Sequence, residues 1–138
     1  MTPTLIDLYN YAEQAHIEVM CMSTRKVACM SIINEYGDCG IGINPFMLSS
    51  EQDERVKLAH EIGHFEMGAF YNLYSPLDVI EHHEYRANKW AIKKLIPKDK
   101  LINAYKNGIC DNSELAEYFG ITEDFLQIAL KYYNEHVA

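Results

Sequence analysis

Apolar positions along the 138 residues switch between helical and strand-like spacing. From Thr4 to His16, Leu5, Leu8, Tyr9, Ala12 and Ala15 recur at three- and four-residue intervals and predict an amphipathic leading helix. Three β-type stretches follow, Ile17 to Met22, Val27 to Ile33 and Cys39 to Asn44, separated by short polar segments. Connections this short predict an antiparallel sheet. In the last strand Gly40 and Gly42 share one face, and a face without side chains lets a helix or a substrate strand come close.

Ser49 and Ser50, followed by Glu51-Gln52-Asp53-Glu54, form the hydroxyl cap and acidic first turn of a second helix. Beyond those turns the helix is apolar nearly all round, which predicts an interior position. Ser75-Pro76-Leu77-Asp78 predicts a third helix, capped by Ser75 and running to about Leu95; Pro97 opens a fourth, Lys98 to Asn107, that Gly108 ends. Two short helices follow, about Ser113 to Phe119 and Glu123 to His136. The expected fold class is α+β: a small antiparallel three-stranded sheet packed on a buried helix, surrounded by further helices. One domain is expected over residues 1–138, with a core at 1–97 and a helical tail at 98–138.

Charge narrows the partners. A net charge of −8 and a pI near 5.1 argue against a surface built to neutralise phosphates, so nucleic acid is not an expected partner. Asp7 interrupts the opening apolar residues, the first lysine or arginine is Arg25, and no apolar run approaches a membrane span. These features lead us to expect a cytoplasmic protein without membrane contact. Cys21, Cys29, Cys39 and Cys110 form no C-x-x-C pair and are expected to be reduced and mostly buried.

The chemistry concentrates in His60-Glu61-Ile62-Gly63-His64. Residues four apart on a helix project from one face, so His60 and His64 can offer imidazole nitrogens to one tetrahedral metal ion. Glu61, one step round the helix, can take a proton from a water beside that metal without filling its open position. A pattern with two free positions can also occur by accident, so it needs a third ligand and a suitable helix.

The helix from 76 to 95 supplies the candidates Glu81, His82, His83 and Glu84. With Glu84 as origin, Leu77, Ile80, Ala87, Asn88, Ala91 and Leu95 all lie within about 60° of it, at the centre of the inward stripe. His82 falls about 160° away and His83 about 100°. Glu84 is therefore the expected ligand, and Glu81, about 60° off centre, the runner-up. Asn88, one turn after Glu84, can hydrogen-bond a ligand histidine. His83, Tyr71, Tyr74 and Tyr85 compete as donors to a developing oxyanion or a leaving group.

With H-E-I-G-H at 60–64, Glu84-Tyr85-Arg86-Ala87-Asn88-Lys89-Trp90-Ala91, and Leu95-Ile96-Pro97, the chain resembles the ImmA/IrrE family of metallopeptidases, most strongly from about Ile41 to Pro97. Glu114-Leu115-Ala116-Glu117-Tyr118-Phe119-Gly120-Ile121 extends the likeness into the tail. The resemblance implies a gluzincin-like fold, one zinc ion on His60, His64 and Glu84, and Glu61 as general base. It also implies a setting in bacteria, phages and mobile elements, where some members cleave or inactivate a helix-turn-helix repressor. Trp90 stands where phenylalanine is usual, Ile96 where methionine is common, and Lys93-Lys94 add positive charge; none is a ligand position.

The expected activity is zinc-dependent hydrolysis of a peptide bond in a protein substrate, with a transcriptional repressor as the implied partner. A second reading is a metal-bound regulatory protein that engages a repressor or antirepressor without cutting it. A third places DNA binding in the tail, where Ala116, Gly120 and Leu126 have helix-turn-helix offsets; against it, the would-be recognition helix begins Glu123-Asp124 and holds one basic residue, Lys131.

Overall fold

The computed structural model describes residues 2–23, 27–33, 36–70 and 74–135. In chain order the elements are α1 (Leu5–Gln14), β1 (Ile17–Cys21), β2 (Cys29–Ile33), β3 (Cys39–Ile43), a 3-10 turn at Pro45–Met47, α2 (Glu51–Glu66), α3 (Leu77–Leu95), α4 (Lys98–Lys106), α5 (Asn112–Phe119) and α6 (Glu123–Glu135). The protein is α+β, with a three-stranded sheet and a helical C-terminal region. Among the described residues no helix is long and apolar enough to cross a membrane.

Local chemistry sets most of the helix starts. Thr4 and Asp7 exchange hydrogen bonds in a capping box on α1, Ser50 accepts from the Asp53 N–H at the start of α2, and Asp111 caps α5. At α3 the expectation needs correction. Pro76 itself occupies the N-cap, and no side chain caps the helix. The proline lacks the N–H that would otherwise want a partner there, so the start is tolerated without Ser75 as a cap.

The sheet also departs from the expected pattern. Its order is β1-β3-β2, with β2 antiparallel to β3 but β1 parallel to it, so it is mixed rather than antiparallel. The hairpin β2–β3 obeys the short-connection argument, and it lays β3 against β1 from the other side. β3 takes the centre because it carries no polar side chain, whereas Glu18 in β1 and Ser31 in β2 belong at edges. Among the described residues, what meets the glycine face most closely is neither a helix nor a further strand. A Cβ on Gly40 would meet Met20 Cε at 3.3 Å, and one on Gly42 would overlap Met22, so methionine side chains lie across that face.

The buried apolar cluster joins Leu8 of α1, Ile41 and Ile43 of β3, Leu58 and Ile62 of α2, and Ile92 and Leu95 of α3 to Leu115, Phe125 and Leu126 of the tail. α2 packs against α1, α3 and the sheet, which gives it the interior position its composition required. Arg55 on α2 is also buried. Its guanidinium donates to Pro3 O (2.7 and 2.9 Å), to Gly120 O (3.0 Å) and to Phe119 O, and so ties the start of the chain and the α5–α6 turn to the central helix. All four cysteines are free, but only Cys29 is buried; Cys39 is half-buried and Cys21 and Cys110 are exposed, contrary to the mostly buried expectation.

Candidate metal centre

Two helices meet where the chemistry lies. Gly63 of α2 packs against the backbone of Ala87 in α3, so closely that a Cβ there would stand 2.6 Å from Ala87 O. This approach brings His60 and His64 on one helix to Glu84 on the other. His60 Nε2 lies 2.8 Å from Glu84 Oε2, His64 Nε2 lies 3.1 Å from Glu84 Oε1, and the two Nε2 atoms are 3.1 Å apart.

Both ring orientations are fixed from behind. His60 Nδ1–H donates to Asn88 Oδ1 (2.7 Å), and His64 Nδ1–H donates to the Ala69 carbonyl (2.6 Å). With Nδ1 carrying the proton, a neutral ring presents a bare lone pair at Nε2. Two lone pairs and a carboxylate thus face one another at 2.8–3.1 Å, an arrangement that repels itself unless positive charge stands between. Four ligands arranged tetrahedrally about zinc lie about 3.3 Å from one another. The His60, His64 and Glu84 donors fit a metal ion in type, number and spacing.

The electrostatics point the same way. Burial alone lowers the His64 pKa, but its contacts with Glu84 and the Ala69 carbonyl, with the charge of Glu61, outweigh that and leave it raised. The surroundings favour a cation at this spot. Cys29, on β2, faces the same carboxylates: burial, then the Glu61 charge, push its thiol up to about 12, so it is a neutral lining group rather than a thiolate ligand.

Glu61 and His60 stand where two hollows meet. One, about 590 Å³, extends toward Val56, Met47 and the tail helix α6. The other, about 360 Å³, is lined by Met30 and Ser31 of β2, by His64 and Glu84, and by Phe70. Val27 and Cys29 border both.

The other candidates lie elsewhere. Glu81 and His82 are exposed, His83 is half-buried, and Glu81 is not part of the ligand cluster. Among the described residues His83, Tyr74 and Tyr85 do not line either hollow at the centre. Tyr74 is almost fully exposed, and Tyr85 faces Tyr132 in a separate groove. Tyr71 lies outside the described residues. In the tail, Phe125 and Leu126 are buried, and Asp124 at the start of α6 lines the larger hollow.

Sequence reasoning missed the Ala69 carbonyl. α2 ends in a Schellman arrangement, with Gly68 in the left-handed region (φ 60°), Gly68 N–H bonding to Phe65 O and Ala69 N–H to His64 O (2.8 Å). That turn carries the Ala69 carbonyl back onto the His64 ring. A glycine two residues after the helix was the available signal.

A helix bearing two histidines and a glutamate, with a second glutamate and an asparagine contributed by the next helix, is an arrangement that could hold a metal ion beside a carboxylate base. The sequence profile of Peptidase_M78, the IrrE N-terminal-like domain, matches residues 40–131, about two thirds of the chain, from β3 into α6. The chain belongs to this family of metallopeptidases. Among curated proteins none matches it.

Proposed function

We propose that the protein is a zinc-dependent endopeptidase acting on a protein substrate, with a helix-turn-helix repressor of a phage or mobile element as the target the family resemblance implies. The observation that carries the hydrolytic reading is the convergence of the His60 and His64 Nε2 atoms and the Glu84 carboxylate, with Glu61, at the junction of two hollows.

His60, His64 and Glu84 would hold the metal, and Asn88 and Ala69 would keep the two rings turned toward it. Zinc held there supplies Lewis acidity, polarising a scissile carbonyl and making water more acidic. Glu61 then acts as the proton carrier: its carboxylate accepts the proton of the attacking water and delivers it to the departing amide nitrogen. Among the described residues β2 is an edge strand, with no strand partner on one side, and its Met30 and Ser31 line the smaller hollow. An extended substrate segment can add along that edge through main-chain hydrogen bonds.

The test is incubation of the zinc-loaded protein with the repressor encoded beside its gene. Glu61→Gln should keep its metal and lose cleavage by about 100- to 10,000-fold. Cleavage at the unmodified rate in that variant would remove Glu61 from the chemistry.

A further inference from the structure

The tail with helix-turn-helix offsets has a place beside the reactive centre. Gly120, left-handed at φ 66°, turns the chain between α5 and α6, and the Phe119 and Gly120 carbonyls flanking that turn are held by Arg55. Arg55 therefore fixes where α6 begins relative to α2. Thr122 caps the new helix by accepting from Phe125 N–H (3.2 Å), and the first turns of α6 become a wall of the larger hollow.

That hollow has a mixed lining, in which some of the apolar side chains are incompletely covered. Val27 is 48% exposed, Ile128 44% and Met47 38%, and Val56 and Phe125 also line it. His60 and Glu61 line it as well. The neighbouring cation is already engaged, since Lys57 pairs with Asp53 at 3.0 Å. Half-exposed apolar side chains gathered around one hollow next to reactive groups mark a binding surface, and its volume of about 590 Å³ is that of a ligand cleft. An acidic side chain would meet Asp53, Asp124 and Glu61 there and be repelled.

Resting on the peptidase reading above, we propose that this hollow is a specificity subsite: it takes a large aliphatic or aromatic side chain of the substrate adjacent to the scissile bond, and Ile128 of the tail helix selects it. The tail thereby belongs to the substrate-reading machinery.

Two measurements on the full chain test this separately from hydrolysis. Random peptides displayed on phage are captured by zinc-loaded Glu61→Gln protein, and peptides from a digested bacterial proteome are offered to the active protein, with the new ends sequenced. Leu, Ile, Met or Phe should be enriched at least about 10-fold at one fixed position among captured peptides, and beside the cut bond. Ile128→Trp, which narrows the hollow, should move the preference toward smaller side chains, and Ile128→Asp should abolish it. Both variants should retain metal and helical circular dichroism. Enrichment unchanged in both variants, or no side-chain preference at any position, overturns the proposal. Apolar capture without any cutting refutes hydrolysis and leaves the subsite standing; cutting without apolar preference does the reverse.

Discussion

Gly63→Ala adds one methyl group at the contact between the two helices that carry the candidate metal ligands, and its consequence can be worked out in ångströms. The new Cβ would lie 2.6 Å from Ala87 O and 3.2 Å from Ala87 Cα, both backbone atoms that no rotamer change can move. Relief requires a separation of at least 3.0 Å, and ordinary contact begins at 3.4 Å, so α3 must retreat by about 0.4–0.8 Å. Ala87 lies between Glu84 and Asn88 on the same helix, so both withdraw with it. Metal sites tolerate departures of about 0.2 Å in ligand distance, and the displacement is about two to four times that. Overpacking of this kind costs about 1–3 kcal/mol, which for a chain of this length lowers the melting temperature by about 3–5 °C per kcal/mol. Melting in the presence of a chelator isolates the packing cost. Zinc titration against a chromophoric chelator reads the site, where an affinity loss of at least about 10-fold is expected. Unchanged zinc affinity in a Gly63→Ala protein that melts lower would show that helix separation and ligand geometry are not coupled. An unchanged melting temperature would show that the contact itself is not tight.

Asn88→Ala removes the acceptor that fixes the His60 ring; zinc affinity should fall about 10- to 100-fold while metal-free stability changes by about 1 kcal/mol, and equal losses in both would indicate a packing role instead. Burial raises the Asp53 pKa, but the Ser49 N–H and Lys57 outweigh it and hold the carboxyl below its ordinary 3.8. Its stabilising contribution is therefore full at neutral pH and is lost as pH falls through that lowered value. The stability gap between the unmodified protein and Asp53→Asn should be flat near pH 7 and shrink below about pH 4; a gap that widens in acid would contradict the sign. Arg55→Leu strips donors from the Pro3, Phe119 and Gly120 carbonyls, with an expected cost of at least about 3 kcal/mol. Hydrogen exchange should accelerate first in α5 and α6, and unaltered protection there would show that the tail is held by other means.

What could be read from the chain beforehand was whatever depends on a local period. The phase of α3 set Glu84 and Asn88 on the inward stripe with Ala87 and Ala91, and the structure brings that glutamate and that asparagine to the two histidines of α2. Ser50 and Pro97 marked helix starts because capping and proline geometry act within a turn. Strand order escaped, because the β1–β3 pairing joins residues more than twenty positions apart and leaves no repeat in the chain. The glycine face was legible as a close approach, whereas its covering by Met20 and Met22 depends on side-chain paths that alternation does not encode. The Ala69 carbonyl escaped because every residue has one. In the tail, Ala116, Gly120 and Leu126 satisfy the spacing of a DNA-reading motif, but the same small residue, left-handed turn and apolar anchor serve to pack two helices at an angle.

Arg55 also sets an order of events during synthesis. Its charge is buried among neutral oxygens, two of which belong to Phe119 and Gly120, residues that do not exist when the active helix leaves the ribosome. At about 5–20 residues per second the 65 positions from Arg55 to Gly120 take about 3–13 s to make. Throughout that interval the guanidinium on α2 has its Pro3 acceptor but lacks those of Phe119 and Gly120, so the packing around the helix bearing His60, Glu61 and His64 is complete only after they are made. The candidate centre and the tail that borders it are therefore completed together, once Phe119 and Gly120 have been made.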